Sequence, residues 1–317
     1  MADTLDCSLC GTHAPIVEVL TTNFRDAEPG RFSVVRCGTC GHVQVSPLPS
    51  EEEEAAYYAR DMQPRALFKD GDYHGILRSK ALPEISRRFE HLFRRMPASS
   101  EVKPRILDVG SGYGFFVDFL ASKGYDAHGL EISSDRMVLA DGNMRGSFFH
   151  RALDDAFVDE HAGTFDAVTA YHVVEHLRDP VGTVARMFRL VRGGGLVVIE
   201  VPNLADELAG QISEYASHLW QICHLSYFDA AHMELLLRRA GATDFAVEGV
   251  QRYGLDHLLK WSRDHEPDLS PFVELSRPEL YNRIEELYRR DRTDRSTCDT
   301  IIAAVVVDKE PSKADSV

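Results

Sequence analysis

The decisive stretch of this chain is PRILDVGSGYGFF, residues 104–116. Its first half predicts a short buried strand that carries one acid, Asp108, and its second half predicts a glycine turn followed by a helix over 115–122. Three glycines stand at alternate positions of that turn: Gly110, Gly112 and Gly114. Glycine has no Cβ and the first turn of a helix has unpaired N–H groups, so a ligand can approach this backbone closely.

A second predicted strand, 126–130, ends at the acid Glu131. An acid about 20 residues beyond the first glycine is the position that holds ribose hydroxyls in nucleotide-binding βαβ units. The dinucleotide fingerprint needs a third glycine three places after the second, where this chain has Phe115. The spacing therefore favours a nucleotide-like ligand over a plain connecting turn, and Phe115 disfavours a nicotinamide dinucleotide.

The eight residues LDVGSGYG, 107–114, resemble the first motif of the class I S-adenosylmethionine-dependent methyltransferases. The resemblance implies that Asp108 lies near the methionine end of the cofactor and that Glu131 holds its ribose hydroxyls. It also implies adenine contacts shortly before the fourth strand of the sheet. The candidates for those contacts are Ala152, Leu153 and Asp154.

The segment FDAVTAYHVVEHLRDP, residues 165–180, extends the resemblance, because the family has the pattern FDxV…EHLxDP at this place. A glycine turn at 193–195 and an apolar strand over 196–201 follow in the same order as in the family. Two more strands are predicted over 245–250 and 300–308. The resemblance implies a doubly wound α/β fold with a seven-stranded, Rossmann-like methyltransferase sheet.

Four cysteines form two CxxC knuckles near the start of the chain: Cys7, Cys10, Cys37 and Cys40. Four thiolates at this spacing suit a closed, structural Zn²⁺ site. Two disulfides are the alternative, which a reducing compartment opposes. Cys223 and Cys298 have no partner pattern. The predicted zinc ribbon resembles that of a group of bacterial methyltransferases, many of which modify sugars or other secondary metabolites. A ribbon that helps to enclose a small acceptor and a purely architectural ribbon both remain open.

Composition limits the partners of this chain of 317 residues. Its net charge is −15, without the clustered Lys and Arg that a general nucleic-acid surface needs. The first residues do not form a signal peptide and no apolar run is long enough to cross a bilayer, so we expect a cytoplasmic protein. The predicted parts are a ribbon (1–50), a helical linker (51–98), a methyltransferase domain (99–309) with insertions at 204–228 and 251–297, and a disordered tail (310–317). The second insertion is interpreted as a lid or an oligomer contact, and the oligomeric state stays open.

Methyl transfer from a sulfonium requires alignment and often a base that removes a proton from the acceptor. Histidine is the usual base near neutral pH, and four histidines fall in suitable segments: His172, His176, His218 and His224. His224 is the first candidate and His172 the second. The sequence HLSY, 224–227, resembles the EHLSYY region of sugar C-methyltransferases, in which a histidine is the proposed base. This chain has Cys223 in place of that glutamate.

Three hypotheses follow. The first is an O-methyltransferase that acts on a hydroxyl of a sugar or similar metabolite. The second is a C-methyltransferase of a nucleotide-linked keto sugar. The third is a non-catalytic binding protein with the same fold.

Overall fold

The computed structural model describes residues 3–27, 30–59, 73–96, 103–134, 136–137, 144–265 and 278–308. The chain begins with four short antiparallel strands that form a small sheet around the two cysteine knuckles. They are β1 (Thr4–Asp6), β2 (His13–Thr21), β3 (Ser33–Cys37) and β4 (Val43–Ser46). This part of the structure corresponds to the predicted ribbon.

Two helices connect the small sheet to the rest of the chain, α1 (Glu51–Ala59) and α2 (Tyr73–Arg95). Helix α1 begins with a capping box, because Ser50 Oγ accepts from Glu53 N at 3.2 Å while Glu53 Oε2 accepts from Ser50 N at 2.8 Å. Pro83 lies inside α2. The described part of the predicted linker is therefore helical, although residues 60–72 and 97–98 lie outside the described residues.

The larger sheet has seven strands in the order β11-β12-β9-β8-β5-β6-β7. In chain order they are β5 (Arg105–Val109), β6 (Asp126–Glu131), β7 (Ser147–His150), β8 (Phe165–Tyr171), β9 (Val191–Pro202), β11 (Asp244–Val250) and β12 (Thr300–Val306). Five strands are parallel, whereas β12 pairs antiparallel with β9 and the edge strand β11 pairs antiparallel with β12. The helices α3 (Phe115–Ser122), α4 (Asp155–His161), α5 (Pro180–Leu190) and α8 (Ala230–Arg239) complete the α/β layers. This confirms the predicted doubly wound, seven-stranded sheet.

Strand β9 differs from its prediction, because it begins at Val191 instead of residue 196. Val191 pairs with Phe165, and the next paired residues are Leu196 and Ala167. Between these two pairings β9 has three more residues than β8. The extra residues form an irregularity in the strand pairing, in which Gly194 has φ +83°. The predicted glycine turn is this bulge, so the glycines interrupt the strand without ending it.

The segment after β9 crosses to the small sheet. It contains α6 (Glu207–Gln211), α7 (Ser213–Leu219) and the two-residue strand β10 (Ser226–Tyr227), which pairs antiparallel with β4. The predicted insertion 204–228 thus supplies the fifth strand of the ribbon sheet.

The second insertion is helical, with α9 (Leu255–Asp264) and α10 (Pro278–Asp294). Its residues 266–277 and the predicted tail 310–317 lie outside the described residues. In the part of the chain that is described, every helix is too short or too polar to span a bilayer. The proposed domain limits at residues 50, 98 and 309 stay predictions.

Candidate active site

The glycine turn after β5 and the acid at the end of β6 meet at one place. Gly112 N donates to Glu131 Oε2 at 2.8 Å, and the backbone N–H groups of Ile132 and Ser133 donate to Oε1 at 2.9 and 2.8 Å. These three bonds fix the carboxylate in position. Oε1 already accepts two of these bonds, but Oε2 accepts one and keeps a second lone pair, so Glu131 can still accept a hydrogen bond from a diol.

The turn itself leaves room for a ligand. Gly110, Gly112 and Gly114 have φ of +68°, +55° and +75°, which favour glycine. A Cβ on Gly110 would approach Val173 Cγ2 to 2.5 Å, whereas a Cβ on Gly112 would have no protein atom within 4 Å. The side-chain oxygen of Ser111 is buried without a hydrogen-bond partner. An open space above Gly112 and an unpaired hydroxyl beside it fit an adenosyl group.

Asp108 lies beneath this turn. Its carboxylate is buried and accepts a 2.6 Å hydrogen bond from Thr169 Oγ1. Burial raises the pKa of Asp108 to about 7. The residue does not line the cavity that Gly110 and Glu131 line.

The predicted adenine contacts Leu153 and Asp154 have other roles in the structure. Asp154 caps α4, because its Oδ1 accepts from Phe157 N at 2.7 Å and from Arg151 at 3.1 Å. Leu153 packs on the main apolar core. Neither residue belongs to the cavity wall, so an adenine role for either one stays a prediction.

A cavity of about 1220 Å³ opens at the carboxyl ends of the parallel strands. The glycine turn contributes Gly110 to its wall and β6 contributes Glu131. The N-terminal segment contributes Leu20, Arg25, Arg36 and Tyr57, and the segments after β9 and β11 contribute aromatic side chains. Those aromatic residues are Tyr215, Trp220, Tyr227, Tyr253 and Trp261. The cavity therefore joins the cofactor turn to a polar and aromatic chamber.

All four candidate histidines line this cavity, but three of them use ring nitrogens in contacts with the protein. The guanidinium of Arg252 lies 2.6 Å from His172 Nε2, and that of Arg25 lies 2.7 Å from His218 Nε2. A guanidinium only donates, so both of these ring nitrogens must accept. The third, His176, donates from Nδ1 to the backbone oxygen of Cys223 at 2.8 Å.

His224 differs from these three. Within the described residues, neither of its ring nitrogens has a hydrogen-bond partner, and its ring packs edge-on against His176 with a centroid distance of 4.9 Å. Burial and then the neighbouring His176 lower the pKa of His224 to about 3. The imidazole is therefore neutral at physiological pH and presents a lone pair to the cavity.

Glu175 lies behind the histidines. Its Oε1 is 3.3 Å from His172 Nδ1 and 3.9 Å from His176 Nε2, and its Oε2 is buried without a partner. Burial alone would raise the pKa of Glu175, but the hydrogen bond from His172 and the adjacent histidines lower it to about 2. An ionised carboxylate at this place favours a positive charge that develops on the nearby rings.

His172 also joins a buried ionic network. It adopts φ +56°, a backbone conformation that costs ~1–3 kcal/mol for a residue other than glycine unless its surroundings hold it. Its backbone N–H donates to Glu200 O at 2.8 Å, and its Nε2 lies 3.3 Å from Glu200 Oε1. Arg87 and Arg88 of α2 pair with the same carboxylate at 2.7 and 3.0 Å. The network fixes helix α2 and His172 to the end of β9.

The four knuckle cysteines gather in one cluster. The sulfur atoms of Cys7 and Cys40 are 3.7 Å apart, and those of Cys10 and Cys37 are 3.9 Å apart. Zn–S bonds of about 2.3 Å in a tetrahedron place the sulfurs about 3.8 Å apart. All four thiols are free, and their separations far exceed a disulfide bond. The geometry suits a zinc ion better than two disulfides.

A second group of metal-compatible side chains lies in the cavity wall. Ligand atoms of His176, Cys223 and His224 lie within 4.8 Å of one another. Cys298, in contrast, is fully buried next to Gly249.

Several lining residues were missed by the sequence reasoning. Glu175 lies in the motif EHLxDP, where it could have been identified, but the motif does not reveal its contact with two histidines. Arg25, Tyr57 and Arg252 carry no local signal, because they reach the cavity from the ribbon, from α1 and from the loop after β11. Tyr171, the last residue of β8, is a core residue that packs on Phe116.

A family model described as a methyltransferase domain matches residues 81–247, a little more than half of the chain. The chain belongs to this methyltransferase family. Family membership confirms the resemblance predicted from the glycine turn and the EHLxDP segment. The solved complex between the Haloferax volcanii Trm112 methyltransferase activator and a methyltransferase contains a chain that matches with a TM-score of 0.50 and 17% identity. That match covers 83% of this chain and 99% of the other chain, and it shows the fold alone.

Curated relatives are named ubiquinone biosynthesis O-methyltransferase. The protein from Aromatoleum aromaticum is 35% identical over 103 residues, which are 31% of this chain and 44% of the relative. The protein of the same name from Vibrio parahaemolyticus is 28% identical over 173 residues, 50% of this chain and 72% of the relative. The chain thus spans less than half of the length of the first of these relatives.

Proposed function

We propose that this methyltransferase transfers a methyl group from S-adenosylmethionine to a hydroxyl of a small acceptor, a sugar or a similar secondary metabolite. The observation that carries the proposal is one continuous cavity, which is lined by Gly110 and Glu131 at one side and by the unpaired ring of His224 at the other. A donor at the glycine turn and an acceptor beside His224 would therefore share one chamber.

Cofactor binding is assigned to the glycine turn and Glu131. The open space above Gly112 admits the adenosyl group, and Glu131 accepts hydrogen bonds from the ribose hydroxyls. Asp108 supports the turn from below. Leu153 and Asp154 are the residues proposed to contact the adenine ring. When bound, S-adenosylmethionine supplies an electrophilic methyl group, and the protein aligns that group with the acceptor.

The acceptor side is assigned to His224 and His172. A free nitrogen of His224 takes the proton from the acceptor hydroxyl as the oxygen attacks the methyl carbon. The ionised Glu175 favours the imidazolium that results, because its negative charge acts to raise the pKa of His224. His172 lines the same wall and orients Glu175 and Arg252, so it contacts the acceptor less directly than His224 does.

The acceptor itself is expected to be a polar ring. Aromatic faces suit sugar and aromatic rings, and the guanidinium groups of Arg25, Arg36 and Arg252 at the wall suit polar substituents. The name of the curated relatives, an O-methyltransferase, supports a hydroxyl acceptor. We further propose a structural zinc ion at Cys7, Cys10, Cys37 and Cys40, and a cytoplasmic enzyme without nucleic-acid or membrane partners.

Mass spectrometry with methyl-deuterated cofactor tests this function. Wild-type protein is incubated with a panel of sugars and hydroxylated ring metabolites, and products that have gained one labelled methyl are sought. We expect a labelled ether that His224→Ala no longer forms. Labelled product formed equally well by His224→Ala would refute the base role.

C-methylation of a keto sugar is the second candidate, favoured by the match of residues 224–227 to the sugar C-methyltransferases. Cys223 stands where a carboxylate is expected in that reaction, and burial raises the pKa of its thiol to about 12. Deuterium exchange beside the carbonyl, without cofactor and dependent on His224, would identify this reaction. Cofactor binding without any turnover would instead favour the non-catalytic binding protein.

A further inference from the structure

We infer that the cysteine ribbon positions the acceptor base. Residues 218–227, named here the histidine loop, carry His224 and are held chiefly by residues of the ribbon. Gln44 is the positioning residue that joins a cysteine knuckle to this loop. The inference rests on the proposed function, since it assigns the ribbon a task in the acceptor half of the same site.

The first half of the histidine loop is anchored by the connection between β2 and β3. The backbone N–H of Arg25 donates to Trp220 O at 3.1 Å, and its Nη2 donates to Gln221 Oε1 at 2.6 Å. Ile222 N donates to Asp26 Oδ1 at 2.9 Å. Three successive residues before Cys223 are therefore tied to the ribbon.

The second half is anchored by β4. Val45 N donates to Leu225 O at 3.0 Å, directly after His224. Ser226 then pairs with Gln44 in the β10–β4 ladder, and its hydroxyl lies 3.2 Å from Nε2 of the buried His42. The catalytic candidate thus lies between two anchor points, three residues apart, that both belong to the ribbon.

Apolar side chains of the histidine loop also pack on the ribbon. Phe24, Phe32 and Val45 form a separate core in the ribbon, and Tyr227 is a buried member of that cluster. Trp220 and Ile222 pack against it from the same loop. Three apolar side chains of the histidine loop, Trp220, Ile222 and Tyr227, therefore pack on the ribbon core and not on the core of the large sheet.

The histidine loop makes fewer hydrogen bonds to the large sheet than to the ribbon, among the described residues. The one direct hydrogen bond from that side to the histidine loop among the described residues is His176 Nδ1 to Cys223 O, at 2.8 Å. Leu204 N donates to Phe228 O just after the loop. If the ribbon moved, the bond from His176 to Cys223 O is the one next to His224 that the described part of the sheet side would still provide.

Gln44 connects the loop to the metal knuckles. Its Oε1 accepts from Ser8 N at 2.9 Å, between Cys7 and Cys10, and its Nε2 donates to Asp6 O at 3.1 Å. The second knuckle lies on the same strand pair, because only two residues separate Cys40 from the start of β4 at Val43. A metal that fixes the four cysteines therefore also fixes β4, and through β4 the histidine loop.

The glycine turn and Glu131, which are proposed to bind the cofactor, do not depend on the contacts between the ribbon and the histidine loop. Within the described residues, no hydrogen bond joins the glycine turn or Glu131 to the ribbon. Loss of the ribbon's order should consequently reduce methyl transfer and leave cofactor affinity unchanged. A loss of methyl transfer with unchanged cofactor affinity would indicate that the ribbon positions His224, whereas general destabilisation of the protein would lower both.

The test compares full-length Gln44→Leu with His13→Gln, a control that removes an exposed ribbon contact between His13 and Asp6. Three quantities are measured: zinc content, affinity for S-adenosylhomocysteine, and amide hydrogen exchange over residues 220–228. For Gln44→Leu we expect unchanged zinc content, affinity within twofold, and at least ~tenfold faster exchange in the loop, with a parallel fall in kcat. Gln44→Glu, which keeps the acceptor for Ser8, should lie between wild type and Gln44→Leu.

Chelator treatment of the wild-type protein is the second arm. We expect it to accelerate exchange over 220–228 while S-adenosylhomocysteine still binds. Exchange that stays as slow as in the untreated protein, in both the chelated form and Gln44→Leu, would overturn the inference. Failure of the proposed function has a different signature, because full activity of His224→Ala would refute the base role without changing the exchange result.

Discussion

His224 owes its chemical state to its neighbours. Burial and the adjacent His176 keep the ring neutral, and the absence of a protein partner among the described residues leaves a nitrogen for the acceptor. We expect His224→Ala to lower kcat by ~10²–10⁴-fold, the usual contribution of a general base, with S-adenosylhomocysteine affinity within twofold of wild type.

His218→Gln is the matched control, because Arg25 already occupies His218 Nε2. It should keep at least a tenth of the wild-type kcat. Steady-state kinetics on the identified acceptor compare the two variants, and an equal loss in both would argue against a base at residue 224.

Asp108 makes stability depend on pH. Its folded-state pKa of about 7 lies above the ordinary value of 3.8, so the folded protein holds a proton that the unfolded chain has released. The stabilisation from this proton is fully present below about pH 4 and is lost as the pH rises through about 7.

We therefore expect Asp108→Asn, which retains an acceptor for Thr169, to gain stability relative to wild type as the pH increases from about 4 to 8, by up to ~4 kcal/mol. Urea unfolding of both proteins without cofactor measures the difference. A difference in unfolding free energy that does not change with pH would contradict the buried carboxyl.

At the scale of elements, the pattern of the sequence predicted most strands because each is a buried apolar run next to a turn. Strand β10 could not be predicted, since Ser226 and Tyr227 are too few residues to show a period, and their partner strand lies about 180 residues earlier. The predicted start of β9 was wrong, because three glycines indicated a turn where the sheet has a bulge.

Helix α8 connects the sheet to the second knuckle. Asp229 caps it by accepting from His232 N at 2.9 Å, and the same oxygen lies 2.8 Å from His232 Nδ1. His232 Nε2 in turn lies 3.2 Å from Cys40 O. We expect Asp229→Ala to lower the free energy of unfolding by ~1–2 kcal/mol, because a helix cap and the orientation of His232 are both lost. Glu234→Ala on the same helix, an exposed position, should change it by less than ~0.5 kcal/mol in urea unfolding.

At the scale of the whole molecule, the ribbon and the large sheet share one cavity. Motifs next to the strand ends predict the cofactor half of the site, and its residues Gly110 and Glu131 line one cavity. For the acceptor half, the sequence predicted four histidines that line the cavity but not Arg25, Tyr57 and Arg252, which meet there from segments far apart in the chain. The roles of Leu153 and Asp154 stay predictions.

Metal content is a property of the whole chain. We expect one zinc ion per chain, lost in Cys7→Ser, because a small sheet with four clustered thiols gains much of its folding energy from the metal. Metal analysis of purified protein measures this. Two zinc ions per chain, with one lost in Cys223→Ser, would indicate a metal at His176, Cys223 and His224 and would contradict the base role of His224.

Binding of S-adenosylhomocysteine, measured by calorimetry, tests the central claim most directly. We expect one site per chain with micromolar affinity, weakened at least ~tenfold in Glu131→Ala and in Gly112→Val. Asp126→Asn, at the opposite end of β6, should bind like wild type. No binding at millimolar ligand, or equal binding by Glu131→Ala, would contradict the account.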